Sequence, residues 1–63
     1  MRRLDALWVI YAAAMREAEV DQLDPDTAQQ SARDILKFYT GVSDGVLAGA
    51  VEDLTGERPT ISG

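Results

Sequence analysis

Two residue types that carry much of protein chemistry are missing from this chain, which contains neither cysteine nor histidine. Without cysteine it can form neither a disulfide nor a thiolate metal site, and without histidine it lacks the usual general base and the commonest metal ligand. Ser–His and Cys–His nucleophile systems are therefore excluded. The single lysine, Lys37, lies beside Arg33 and Asp34, a setting typical of a solvated surface charge. We expect no enzyme, no cofactor, no metal site and no small-molecule substrate.

Basic residues are also few, with six lysines and arginines against eleven aspartates and glutamates and a net charge of −5. This charge repels a phosphate backbone, so nucleic-acid binding is not expected. Acidic residues cluster between Glu17 and Asp26. The cluster lacks the spacing of a calcium loop, and Asp24 and Asp26 stand at a predicted helix start. Helix capping and solubility are the better explanation for them.

No hydrophobic run is long enough to cross a bilayer, because the apolar stretch from Ala6 to Met15 is only half of the ~20 residues that a span requires. With Arg2, Arg3 and a small-residue run ending at Ala14, the N-terminus imitates a secretory signal peptide. Asp5 interrupts this pattern, and cleavage after Ala14 would discard the most hydrophobic segment. We therefore expect a cytoplasmic protein.

With 63 residues the chain forms one domain at most, near the lower size limit for independent folding. Apolar positions recur at three- and four-residue spacing and predict an all-α fold. We predict a helical hairpin with a third helix packed across it. The predicted helices are residues 4–22, 25–40 and 44–55, followed by an irregular tail, residues 57–63.

The helix boundaries are predicted from capping signals. Asp24 and Pro25 are typical of a helix start, as are Ser43 and Asp44. Gly41 and Gly56 are predicted to end the second and third helices in the left-handed conformation. The predicted core positions in the three helices are Leu4, Leu7, Trp8, Tyr11, Ala14, Met15 and Ala18; Ala28, Ala32, Ile35, Leu36 and Tyr39, with Phe38 at the edge; and Val46, Leu47, Ala50, Val51 and Leu54.

The first helix is apolar almost all round, which indicates that it needs neighbours on more than one side. A second apolar set lies nearly opposite the predicted core face. Three short helices can cover only part of such a surface, so this set is interpreted as a partner interface. It consists of Val9, Ile10, Ala13 and Val20.

Glycines at 41, 45 and 49 give a G-x-x-x-G-x-x-x-G pattern that fits no phosphate-binding loop. If Gly41 ends the second helix, Gly45 and Gly49 remain, away from the apolar stripe of the third helix. One interpretation is that they are exposed and merely tolerated, at about 1 kcal/mol each relative to alanine. The other is that they admit a partner backbone at close range, as small-xxx-small patterns do in membranes.

These observations predict a non-enzymatic helical protein–protein interaction module, an adaptor or assembly subunit that self-associates or docks on a larger protein. The alternative is an acidic inhibitor or antitoxin-like protein whose carboxylates occupy a basic site on an enzyme. Strong salt dependence of binding would distinguish this alternative. A membrane-surface role for residues 4–20 is less well supported, because that helix lacks a basic polar face.

Overall fold

The computed structural model describes residues 1–62 and contains three α-helices: α1 (Arg3–Val20), α2 (Pro25–Tyr39) and α3 (Asp44–Thr55). Helix α1 packs on both other helices, whereas α2 and α3 make few contacts with each other. Residues 1–62 contain no β-strand, and their only extended pairing is an isolated parallel bridge between Arg2 and Ser62. The predicted all-α, three-helix fold is therefore confirmed.

The predicted caps of α2 and α3 are present. The Asp24 carboxylate accepts from the Thr27 hydroxyl at 3.1 Å and from the Thr27 backbone N–H at 2.9 Å. These two hydrogen bonds, the hydroxyl contributing more, hold the pKa of Asp24 below its ordinary value, because both favour the ionised carboxylate. The Ser43 hydroxyl accepts from the Val46 N–H at 3.3 Å. Gly56 ends α3 in the left-handed conformation with φ of 82°.

Helix α1 ends at Val20, two residues before the predicted end, and the turn that follows was not predicted from the sequence. Gln22 adopts φ of 60°, the left-handed conformation usually taken by glycine. Its N–H donates to the Glu19 carbonyl at 3.0 Å, and the Leu23 N–H donates to the Ala18 carbonyl at 3.1 Å. These two bonds are the Schellman pattern, which satisfies carbonyls that the helix end leaves free.

The end of α2 differs from the prediction. The helix stops at Tyr39 with Thr40 in the right-handed conformation, and Gly41 has no positive φ. The reason is that other groups already satisfy carbonyls here. The Thr40 hydroxyl donates to the Lys37 carbonyl at 2.7 Å, and the Val42 N–H donates to the Tyr39 carbonyl at 3.4 Å. The predicted left-handed cap at Gly41 is therefore wrong.

Arg3 fixes the loop between α2 and α3 to the start of α1. Its guanidinium donates to the Val42 carbonyl at 2.8 Å and, less closely, to the Thr40 carbonyl at 3.4 Å, and it forms an ion pair with Asp44. A planar guanidinium with several donors suits this multiple contact better than an ammonium would. The α2–α3 loop is thus held at the N-terminal end of α1.

The core is small and lies mainly between α1 and α3. Ala6 and Ile10 of α1 pack with Leu47 and Val51 of α3, all of them at most 4% exposed. Partly buried residues complete this cluster: Leu7, Val9, Tyr39, Val42, Ala50 and Ile61. The buried residues of α2 are Ala28 and Ala32, as predicted. Because these two side chains are short, the volume that α2 adds to the core comes mainly from the half-buried Tyr39 at its C-terminal end.

The buried face of α1 differs from the predicted face. Leu4 and Trp8 are 63% and 59% exposed, whereas Ala6, which was in neither predicted set, is fully buried. Because α1 is apolar almost all round, the side that faces inward is set by where α2 and α3 dock. In α2, Ile35 is more exposed than predicted at 38%, and in α3 Val46 and Leu54 are about half exposed.

The tail after α3 is irregular as far as Ser62, as predicted, and it is attached to the rest of the fold; Gly63 of the predicted tail lies outside the described residues. The Met1 ammonium donates to the Thr60 carbonyl at 2.8 Å, and the Ser62 N–H donates to the Met1 carbonyl at 2.9 Å. Ile61 packs against the α1–α3 core. The tail therefore lies against the N-terminal end of α1 and covers part of the core.

Candidate interaction surface

The four α1 residues predicted to contact a partner do not form one exposed surface. Ile10 is only 4% exposed and belongs to the core of this chain, which differs from its predicted place on a contact surface. Val9 is half-buried against the same core, and Ala13 is half-buried beside it on α1. Val20, at the C-terminal end of α1, is 80% exposed. Ala13 and Val20 remain candidates for contact with another chain.

The two glycines of α3 are covered in part by the tail of the same chain. The Arg58 guanidinium donates to the Gly45 carbonyl at 3.2 Å and to the Glu52 carboxylate at 3.4 Å. A Cβ atom added to Gly49 would lie 3.6 Å from this guanidinium, while one added to Gly45 would meet nothing within 4 Å. Arg58 thus lies against Gly49 and against the Gly45 carbonyl, where a partner backbone was predicted to approach, while the space beside the Gly45 Cα is free of other described residues.

A groove lies above α1, between α2 and α3, and sequence analysis does not predict it. Its main cavity, of about 240 Å³, has Ile10, Ala13 and Ala14 of α1 at its floor. Helix α2 forms one wall and α3 forms the other. The wall residues are Ile35, Tyr39, Ala50 and Leu54. The floor consists mostly of alanine, so another chain could approach α1 closely here.

The groove continues toward the C-terminal end of α1 through a second cavity of about 180 Å³, which shares Ala14, Glu17 and Ile35 with the first. Leu23 and Ser31 lie at its far end. We call the two cavities together the interhelical groove. From Ile10 to Asp21, the residue after the end of α1, it extends roughly 17 Å at a ~1.5 Å rise per residue, and its second cavity is lined by residues of α1, of α2 and of the loop between them. It is therefore as long as about three helical turns.

Two more large apolar side chains lie on the helix sides that border the interhelical groove. Phe38 follows Ile35 by three positions on α2 and is 67% exposed. Val46 precedes Ala50 by four positions on α3 and is 53% exposed. Residues at these spacings share one side of a helix. Apolar surface thus extends from the groove onto both of its borders.

The polar groups of the interhelical groove are mainly acidic. Glu17 and Asp53 line the main cavity, and Glu17 and Asp21 line the second one. All three carboxylates are exposed, and the ion pairs found within residues 1–62 involve other acids, Asp44 and Glu52. Among the described residues, no lysine or arginine lines either cavity. The groove therefore combines an apolar floor with a negative rim.

A separate apolar patch lies on α1, where Leu4 and Trp8 are one turn apart and both exposed. Trp8 and Tyr11 pack edge to face with ring centroids 5.7 Å apart. The sequence predicted both aromatic rings in the core. Neither of them lines the interhelical groove. The fluorescence of Trp8, the single tryptophan of the chain, therefore reports on a part of the surface outside the interhelical groove.

The part of the chain that the structure describes holds no group of three acidic side chains placed to bind a metal ion. No described helix combines the length and hydrophobicity needed to traverse a bilayer. Comparison with protein-family models, curated proteins and solved structures finds no match.

Proposed function

We propose that this protein is a non-enzymatic protein–protein interaction module, an adaptor or assembly subunit, and that an α-helix of another protein occupies the interhelical groove. The observation that carries the proposal is the groove itself, with apolar walls from α2 and α3 above an alanine floor on α1. A helix laid in such a groove buries its apolar face and completes a four-helix arrangement.

The exposed surface of the chain supports this proposal. Its accessible area is 4426 Å², against roughly 4,000 Å² expected for a compact monomer of this mass. Four large hydrophobic side chains that lie in the groove or on its borders are between 38% and 67% exposed: Ile35, Phe38, Val46 and Leu54. Covering them would lower the free energy of the complex by about 25 cal/mol per Å² of apolar area removed from water.

The size of the groove bears on the affinity. A partner helix of about three turns would bury less than the ~1,200 Å² that marks the smaller, transient class of protein complexes. We therefore expect dissociation constants in roughly the micromolar range for an isolated helix. A larger partner that also covers Phe38 and Val46 would bind more tightly.

A direct test uses a synthetic helix of about fourteen residues, four turns at 3.6 residues per turn, with a leucine and alanine stripe and glutamine at its other positions. Two-dimensional amide NMR of the labelled protein should show shifts at groove residues such as Ala13, Ala14 and Ile35. The fluorescence of Trp8 should not change, because Trp8 lies outside the groove.

Two alanine substitutions provide a matched comparison. Ala13→Glu places a charge at the groove floor, where the apolar peptide would have to bury it, so peptide binding should be lost. Ala12→Glu makes the same change at the neighbouring exposed position and should leave binding intact. Circular dichroism of both variants checks that α1 still folds. Equal binding by the two variants would contradict the proposed surface.

The acidic-inhibitor alternative has one observation in its favour, namely that all eleven carboxylate side chains are exposed. A protein acting in this way would present charge rather than apolar surface to its target. Its binding would fall steeply with salt, since exposed charges are screened within about 8 Å at physiological ionic strength. It would also be insensitive to Ala13→Glu, so the same variant separates the two functions.

A further inference from the structure

The rim of the interhelical groove restricts the chemistry of its occupant. We infer that the groove accepts a basic amphipathic α-helix from a different protein, with an apolar stripe toward α1 and lysine or arginine residues flanking that stripe. This inference rests on the proposed function, because it specifies which helix the groove selects. It depends on the positions of Glu17 and Asp53 in the main cavity and of Asp21 beyond them.

The carboxylates are placed to contact the sides of such a helix. Glu17 lies on α1, in both cavities, and Asp53 lies on the α3 wall. Glu17 continues the α1 side of the groove one turn beyond Ala13 and Ala14, so a helix in the groove would place side chains near Glu17 at one point and near Asp53 on the α3 wall at another. Neither carboxylate has a side-chain hydrogen bond or ion pair within residues 1–62 that such contacts would have to replace.

A second copy of this chain is a poorer occupant on electrostatic grounds. Each copy carries a net charge of −5, so two copies repel each other before their apolar surfaces meet. Two of its six basic residues are also engaged within the chain, Arg3 with Asp44 and Arg58 with Glu52. A partner of opposite charge is attracted over the same distances and gains a faster association rate.

The test compares three synthetic helices that share the leucine and alanine stripe and carry lysine, glutamine or glutamate beside it. At low ionic strength the lysine peptide should bind most tightly and the glutamate peptide least tightly. We expect the lysine and glutamate peptides to differ by about tenfold, as for a few exposed ion pairs. The difference should disappear near 1 M salt, where the screening length is about 3 Å.

Paired variants locate the source of the preference. Glu17→Gln with Asp53→Asn leaves Asp21 as the one carboxylate among the described residues that line the groove and should remove most of the difference in affinity between the lysine and glutamine peptides. Glu19→Gln with Asp34→Asn changes the net charge equally at exposed helical positions outside the groove, and it should preserve the ranking. If the first pair also preserves the ranking, the overall charge attracts the peptide and the inference fails.

The remaining outcomes separate this inference from the proposed function. If the lysine and glutamine peptides bind the groove equally, the groove accepts helices without selecting basic ones, so the inference fails and the proposed function stands. If no peptide shifts the groove resonances, both fail. Sedimentation velocity tests whether a second copy of the chain occupies the groove. If the protein is a dimer and Ala13→Glu dissociates it, the occupant is a second copy and the inference is overturned.

Discussion

Leu47 and Leu54 lie on the same helix and offer the sharpest test of where the core is. Leu47 is fully buried against α1, whereas Leu54 is 49% exposed at the wall of the interhelical groove. Substitution by alanine makes the same chemical change at both positions, and alanine is a good helix former at either. Any difference in stability therefore comes from packing.

The expected magnitudes differ clearly. Removing a fully buried leucine costs about 2.7–5 kcal/mol, from lost burial and the cavity left behind. Full burial of a leucine side chain is worth ~1.5–3 kcal/mol. A leucine that is half exposed gains about half of this, so its removal should cost roughly 1 kcal/mol. A chain of this size has a total unfolding free energy of about 3–9 kcal/mol. Leu47→Ala should thus remove a large part of the stability and Leu54→Ala only a small part.

The assay is urea denaturation followed by far-ultraviolet circular dichroism on the two variants and the parent chain. If Leu47→Ala does not fold, a valine pair on α3 gives the same comparison with a smaller deletion. Val51 is 1% exposed and Val46 is 53% exposed, so Val51→Ala should be the more destabilising of the two. Losses that agree within about 0.5 kcal/mol for both pairs would refute the packing of α3 on α1.

Two further predictions concern backbone conformation and pH. Gly56→Ala should lower the unfolding free energy by about 1 kcal/mol, because Gly56 has a φ of 82°. Gly41 has no positive φ, so Gly41→Ala should not destabilise the fold. Thermal melts of both variants test this contrast, and equal melting temperatures would contradict it. The lowered pKa of Asp24 means that its capping bonds stabilise the fold above the ordinary value of 3.8 and are lost as the pH falls through the lower folded value. The melting temperatures of the parent and Asp24→Ala should therefore differ at neutral pH and converge in acid, and a gap that persists in acid would contradict this.

Local signals in the sequence predicted most of the helix ends. Asp24 and Ser43 accept hydrogen bonds at the predicted starts, and Gly56 ends α3 as predicted. The failures lie where a longer-range or less common contact replaces the local rule. The carbonyls around Gly41 are satisfied by the Thr40 hydroxyl and by Arg3 at the start of α1. Gln22 takes a conformation for which its side chain gives no signal.

The inward face of α1 could not be read from the sequence for a different reason. A helix that is apolar on most sides has several candidate core faces, and its own periodicity does not choose between them. Docking of α3 selects the side of Ala6 and Ile10 and leaves Trp8 exposed. The interhelical groove depends on three helices at once, so no single segment contains its pattern. Ala13 was predicted as a contact residue, whereas the α2 and α3 residues that line the groove with it, among them Ile35 and Leu54, were predicted as core residues.

The central position of α1 also has a consequence for how the chain acquires its structure. Helix α1 is the first helix in the chain, and α2 can pack on it through contacts that are close in sequence and therefore fast to form. Leu47 and Val51, which cover Ala6 and Ile10, come much later in the chain. From sequence separation we therefore expect the α1–α2 hairpin to form first and α3 to close the core second. Ile61 and the pairing of the tail with Met1 span the longest loops, so their closure has the greatest entropic cost.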